Sequence, residues 1–126
     1  MSVRYIIVPY KIPSKPDAPV TYYPRIKSTG EITLRELVDD IADISTLSQA
    51  DMMGAIESLI QRIPKYLEEG KIVRLGDLGS FFLSLEGEGA ADPTEVRASK
   101  IKRARLRFRA GQLLSQHFKH LSYTRD

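Results

Sequence analysis

The sequence predicts an α+β fold, and three observations carry that reading. Apolar residues recur at helical spacing from Leu34 to Leu67, between stretches that read as strands. Helix-opening polar residues stand in front of two helical stretches, Thr33 with Glu36 and Ser48 with Asp51. A run from Ile101 to Arg109, I-K-R-A-R-L-R-F-R, alternates basic and apolar side chains. A strand sorts such a run onto two faces, with Arg103, Arg105, Arg107 and Arg109 on one and Ala104, Leu106 and Phe108 on the other.

Taken in order, Val3 to Tyr10 reads as a strand. Ile12 to Pro19 holds Pro13, Pro16 and Pro19 and is a loop. Val20 to Lys27 is a second strand, which Pro24 confines to an edge or a bulge. The two strands are expected to pair as a long-looped hairpin closed by Ser28-Thr29-Gly30. Thr33 starts a helix whose apolar stripe is Leu34, Leu37, Val38 and Ile41. After the short turn Ser45-Thr46-Leu47, Ser48 caps a second helix with the stripe Met52, Ile56, Leu59, Ile60, Ile63 and Leu67. Pro64 lies within that stripe and should kink the helix or disturb one turn. Gly70 is the expected C-terminal stop.

Lys71 to Leu75, the turn Gly76 to Gly79, and Ser80 to Leu85 form a hairpin. Glu86 to Ala98 is polar, with Gly87, Gly89 and Pro93, and reads as a loop or extended arm. The Arg-rich strand runs from about Val96 to Phe108. A final helix is expected from Ala110 to Leu121, and Tyr123 onward reads as a tail. The organisation is therefore a strand-loop-strand extension at 1–30, a main domain at 31–121 and a tail at 122–126.

Composition narrows the function. With 126 residues, 42% apolar and 28% charged, the chain has the make-up of a globular protein. No apolar run approaches the roughly 20 residues that span a bilayer. The apolar cluster Tyr5 to Val8 is too short for a signal-peptide core and is interrupted by Pro9, so a cytoplasmic protein without membrane contact is expected. Without cysteine there are no disulfides and no thiolate metal ligands. The net charge of +3 conceals segregation: residues 1–30 carry +4, residues 31–95 carry −9, and residues 96–125 carry +9 with no acid. Such segregation directs a field toward one surface.

The basic strand points to a polyanion, because Arg grips phosphate in a bidentate fork at any physiological pH. Charge on an edge strand also guards against edge-to-edge pairing, but four Arg on one face exceed what that needs. Other constellations point nowhere. His117 and His120 are too few to hold zinc and suit the C-terminal end of a helix dipole. Gly87 and Gly89 lack the Lys-Ser/Thr and the following helix of a phosphate loop. Asp39, Asp40 and Asp43 fit a solvated helix face. Tyr22 and Tyr23 fall on opposite faces of a strand, so at most one is placed to stack on a base. No nucleophile–base pair is present. A non-enzymatic protein without cofactor, metal or small-molecule substrate is expected.

The order of helix, helix, strand, turn, strand, arm, strand, helix, with the turn V-R-L-G-D-L-G-S-F at Val73 to Phe81 and the passage Phe108 then R-A-G at Arg109 to Gly111, resembles the bacterial HU/IHF histone-like family. Gly79, Ser80 and Phe81 match the second half of the family turn, and Leu78 replaces an aromatic. The interval from Phe81 to Phe108 is close to the family's arm-containing interval. The resemblance covers about residues 31 to 121. The extension, with T-L-R-E-L at Thr33 to Leu37, is similar to the HU-like variant of Bacteroidetes.

The resemblance implies an intertwined homodimer whose two three-stranded sheets form a saddle and whose β-arms reach around duplex DNA. It implies a nucleoid-associated protein that tolerates many sequences, with Leu78, Phe81 and Phe108 in the dimer core. Arg97, Lys100, Lys102, Arg103, Arg105, Arg107 and Arg109 are the expected DNA-binding residues. The family's arm ends in R-N-P, whose Pro wedges between base pairs. Here the place reads A-D-P, Ala91 to Pro93, and Glu86, Glu88, Asp92 and Glu95 lie on the arm. Pro93 is a possible arm tip, but turn chemistry suits it better, and weak bending is expected. Two alternatives stay open: a protein-interaction module on the same fold, and a binder of structured RNA.

Overall fold

The computed structural model describes residues 2–126; Met1, the first residue of the expected extension, lies outside them. The chain forms two compact units. One comprises the chain up to Leu37 together with Phe118–Asp126, and the other is Val38–His117.

In the first unit, β1 (Ser2–Tyr10) pairs antiparallel with β2 (Thr21–Ile26), as the hairpin reading expects. Pro24 sits opposite Ile7 on β2, which is an edge strand of the sheet, where its missing N–H costs no ladder bond. Tyr22 and Tyr23 take successive positions of β2, opposite Pro9 and Val8. Tyr23 packs edge-on against Tyr10 at 6.0 Å, and both Tyr22 and Tyr23 remain exposed.

The tail reading of 122–126 is corrected here. Ser122–Arg125 form β6, parallel to β1, and the strand order is β2-β1-β6. Asp126 extends the pairing, its N–H donating to the Tyr5 carbonyl at 3.0 Å. Its carboxylate accepts a hydrogen bond from Lys27 and lies 3.6 Å from Arg4. The Lys27 hydrogen bond, reinforced by attraction to Lys27 and Arg4, holds the Asp126 carboxyl below its ordinary value. This clasp is therefore present at neutral pH and is lost as pH falls through the lowered value.

The helices start where the caps say. In α1 (Leu34–Ile44), the Glu36 N–H donates to Thr33 Oγ1 at 3.2 Å and the Thr33 N–H to Glu36 Oε2 at 3.3 Å. In α2 (Gln49–Glu68), Ser48 and Asp51 exchange the same pair of bonds at 3.1 and 3.4 Å. Gly70, at φ +82°, ends α2. Its N–H donates to the Leu67 carbonyl and that of Lys71 to Tyr66, a Schellman closure. Pro64 lies inside α2 without ending it.

The second unit holds a sheet of order β3-β4-β5: β3 (Val73–Arg74), β4 (Gly79–Gly87) and β5 (Ile101–Ala110), all antiparallel. The first of these strands is shorter than expected, two residues rather than five. β5 begins at Ile101, not near Val96, because Ala98–Lys100 close a 3-10 turn. The C-terminal helix is also shorter. α3 spans Gln112–Gln116, and His117 to His120 form turns that release the chain toward β6. Local spacing of Leu113, Leu114, Phe118 and Leu121 favours a longer helix, but the edge of β1 offers Ser122–Arg125 a backbone partner that the local sequence does not reveal.

Two glycines fix close approaches around the turn Gly76–Leu78. A Cβ on Gly79, at φ +147°, would lie 2.5 Å from the Arg109 carbonyl oxygen and 2.6 Å from the Phe108 ring. Gly111 donates its N–H to the Leu78 carbonyl at 3.0 Å, and a Cβ there would lie 2.0 Å from the Asp77 carbonyl oxygen. This seats the start of α3 against the turn Gly76–Leu78. Replacing Gly111 by Ala should therefore destabilise the protein by about 2–3 kcal/mol, since backbone must move to admit the methyl. Urea unfolding measures this, and an unchanged midpoint would refute the close approach.

Candidate nucleic-acid interface

The β4–β5 ladder pairs Ser80 with Arg109, Phe82 with Arg107, Ser84 with Arg105 and Glu86 with Arg103. Directly paired residues share a face, so the four arginines stand beside Ser80, Phe82, Ser84 and Glu86. Arg74 on β3 pairs with Ser80 and joins the same face. The opposite face pairs Phe81 with Phe108, Leu83 with Leu106 and Leu85 with Ala104. The sheet thus separates a cationic face from an apolar one, as the alternation requires.

Each arginine is held differently. The Arg109 guanidinium lies 5.7 Å from the Phe82 ring centroid, within cation–π range. Arg74, Ser80, Phe82 and Arg109, with Ile72, line a hollow of about 130 Å³. Arg107 donates from Nε to Ser84 Oγ at 3.1 Å. That bond aims the group and leaves four of its five N–H donors for another acceptor. Arg103 and Arg105 are occupied otherwise. Their Nε atoms lie 3.4 and 2.5 Å from the same oxygen, Glu86 Oε2.

The ladder shifts register after Glu86, where Gly87 faces Ile101 and Lys102 is left over on β5 as a bulge. Beyond it the chain does not continue as a ribbon. Residues 88–100 form a loop with 3-10 turns at Pro93–Glu95 and Ala98–Lys100. Asp92 caps the first, its Oδ1 accepting from the Thr94 N–H at 3.0 Å. Pro93 occupies the first position of that turn, where its fixed φ is favourable. Arg97 precedes the second turn and Lys100 ends it, both exposed.

The structure therefore brings Arg103, Arg105, Arg107 and Arg109 onto one face and leaves Arg97, Lys100 and Lys102 along the adjoining loop and bulge. Sequence reasoning passed over Arg74, Ser84 and Phe82, and treated Glu86 only as an acid on the arm. Counting register outward from the Gly76–Gly79 turn would have placed all four on the arginine face.

Residues 1–125 match the HU-HIG family, described as "HU domain fused to wHTH, Ig, or Glycine-rich motif". The chain is 30% identical over 87 residues to the integration host factor subunit alpha of Rhizorhabdus wittichii, covering 68% of this chain and 87% of that protein. The crystal structure of a "Putative bacterial DNA binding protein" from Bacteroides vulgatus superposes with a TM-score of 0.67 at 15% identity. That likeness covers 99% of this chain, which spans about half (49%) of the solved one.

Proposed function

The chain belongs to the HU-HIG family, and so to the bacterial HU/IHF-type DNA-binding architectural proteins, and on that footing we propose that it binds double-stranded DNA through phosphate contacts with little regard to sequence. The observation that carries this is the arginine face: Arg74, Arg103, Arg105, Arg107 and Arg109 share it with a single acid, Glu86. Arg97, Lys100 and Lys102 extend the cationic path beyond the ladder. Phosphate contacts fix a protein on a duplex without reading its bases. The role needs no catalytic group, cofactor, small-molecule substrate or membrane, and it would place the protein on the nucleoid in the cytoplasm. Residues 31–121 would supply the DNA-binding domain, with 1–30 as its extension.

Replacing one arginine of the row by Ala should weaken binding similarly on unrelated duplexes. It should also lower the slope of log affinity against log salt by about 0.9 for each phosphate no longer neutralised, per subunit engaged. Arg74→Ala should behave as Arg109→Ala does. Mobility shifts over a salt series, with duplex DNA, single-stranded DNA and duplex RNA, measure this. Unchanged DNA binding by the folded variant lacking Arg103, Arg105, Arg107 and Arg109 would overturn the proposal. Tighter binding of duplex RNA would move it to the RNA reading.

We further propose that the working form is a homodimer. Leu83, Leu85, Leu106 and Phe108 stay exposed on the apolar sheet face, and Ile60, Ile63, Pro64, Leu67, Phe81 and Leu106 line an apolar hollow of about 500 Å³. Only Val38 and Leu67 are buried hydrophobic residues among those described. The accessible surface is 11019 Å² for 14.2 kDa. That exceeds the roughly 8,000 Å² of even two separate compact bodies sharing this mass. Phe81 and Phe108 meet within one subunit at 4.9 Å, and with Leu78 they are proposed to pack at the seam. Sedimentation equilibrium at low micromolar concentration should report about twice 14.2 kDa; a folded monomer there would reject the dimer.

Pro93, held in a capped 3-10 turn among carboxylates, supports weak bending. A kink costs a few kcal/mol per unstacked step and needs wrapped contacts to offset it, and acids on the arm oppose wrapping. Energy transfer across an end-labelled duplex should show a small bend that Pro93→Ala leaves alone. A large bend abolished by Pro93→Ala would show instead that Pro93 intercalates.

A further inference from the structure

We propose that Glu86 is an internal competitor for phosphate: its carboxylate holds the Nε edges of Arg103 and Arg105 and offsets their charge, and a duplex must displace it before the arm-proximal half of the arginine row engages in full. The inference rests on the phosphate-binding reading above and divides that row in two. Arg107 is braced by a neutral hydroxyl, Ser84 Oγ, and Arg109 faces an aromatic ring. Both keep their charge for a ligand. Arg103 and Arg105 instead converge on one oxygen, Glu86 Oε2, at 3.4 and 2.5 Å.

The local backbone builds this arrangement. Glu86 is the direct partner of Arg103, with Arg105 on the diagonal, so a carboxylate there reaches both. The ladder breaks immediately beyond it. Gly87 approaches so closely that a Cβ would lie 2.7 Å from the Lys100 carbonyl oxygen. The regular ladder thus ends on Glu86, at its last register position before the bulge. The other arm carboxylates are placed differently: Asp92 caps its own turn, and neither Glu88 nor Glu95 forms an ion pair among the described residues. Glu86 is about one third exposed on its side chain and the two arginines about half or more. An exposed pair of this kind is weak enough to exchange partners. Each guanidinium meets Glu86 through Nε and a single shared oxygen, whereas a duplex phosphate can be gripped through two N–H groups with the field of its neighbours behind it.

The consequence is a graded interface. First contact falls to Arg107, Arg109 and Arg74, and engagement of Arg103 and Arg105 follows only where enough phosphate charge is present to release Glu86. Glu86 thereby sets affinity and salt response without touching DNA in the final complex.

The test uses the full chain and a mixed-sequence duplex of about 30 base pairs, with anisotropy measured over a salt series. Four variants are compared with wild type: Glu86→Gln, Glu88→Gln, Arg105→Ala, and Glu86→Gln with Arg105→Ala. Circular dichroism establishes that each is folded. Both Gln variants remove one negative charge, but only Glu86→Gln releases guanidinium groups. It should bind about three- to tenfold tighter than wild type, with a salt slope steeper by about 0.9 per guanidinium released per subunit. Glu88→Gln should gain less than about twofold, as expected for an unpaired exposed charge. Arg105→Ala should cost more affinity in the Glu86→Gln background than in wild type, because there the group binds phosphate without first giving up a carboxylate. If Glu86→Gln matches Glu88→Gln in affinity and slope, and Arg105→Ala costs the same in both backgrounds, the competitor role is wrong while phosphate binding stands. Binding by neither wild type nor Glu86→Gln overturns both.

Discussion

The register of the β4–β5 ladder is the constraint on which the candidate interface depends. Pairing Gly79 with Ala110 fixes every pair up to Glu86 with Arg103. Because the side-chain period is two, a slip of one residue would turn the arginines toward the apolar side and Leu106 and Phe108 toward the cationic one. The turn Gly76–Leu78 and the close approaches at Gly79 and Gly111 hold the register at one end. The bulge at Lys102 ends it at the other. Between those two points the ladder needs no further specification: alternation in each strand does the sorting.

Much of this was legible in the sequence, and the reasons differ by element. Helix starts were readable because capping is local chemistry: Thr33 with Glu36, and Ser48 with Asp51, satisfy backbone donors within one turn. The arginine strand was readable because its alternation is complete. The first hairpin was readable from two β-rich runs around a Pro-rich loop. What escaped depended on distant partners. The span of β6 is set by the edge of β1, and the shortening of α3 follows from it. Arg74 and Glu86 acquire their meaning from the residues opposite them, Ser80 and Arg103, rather than from their neighbours in the chain.

The same contrast separates the residues of the arginine face. By composition Arg103 and Arg107 are the same residue on the same face of the same strand. The group on the opposing strand that each guanidinium meets distinguishes them, the carboxylate of Glu86 for Arg103 and the hydroxyl of Ser84 for Arg107. A charge count along the strand measures the field, while the opposing strand decides which charges are free to act at short range. Formal charge thus overstates the unpaired charge at the Glu86 end of the strand.

The parallel pairing of β1 with β6 has a consequence for biosynthesis. β1 is made before β6, which follows more than a hundred residues later. The hairpin of β1 and β2 is available early, but the third strand of its sheet is not. Until Ser122–Arg125 has left the ribosome, the N-terminal half of β1 presents open backbone donors and acceptors along one side. Closing so long a separation in sequence is entropically slow. The strand that reads as a tail is therefore the piece that completes a sheet begun more than a hundred residues earlier, and during translation that edge stays open longer than the local pairing of β1 with β2.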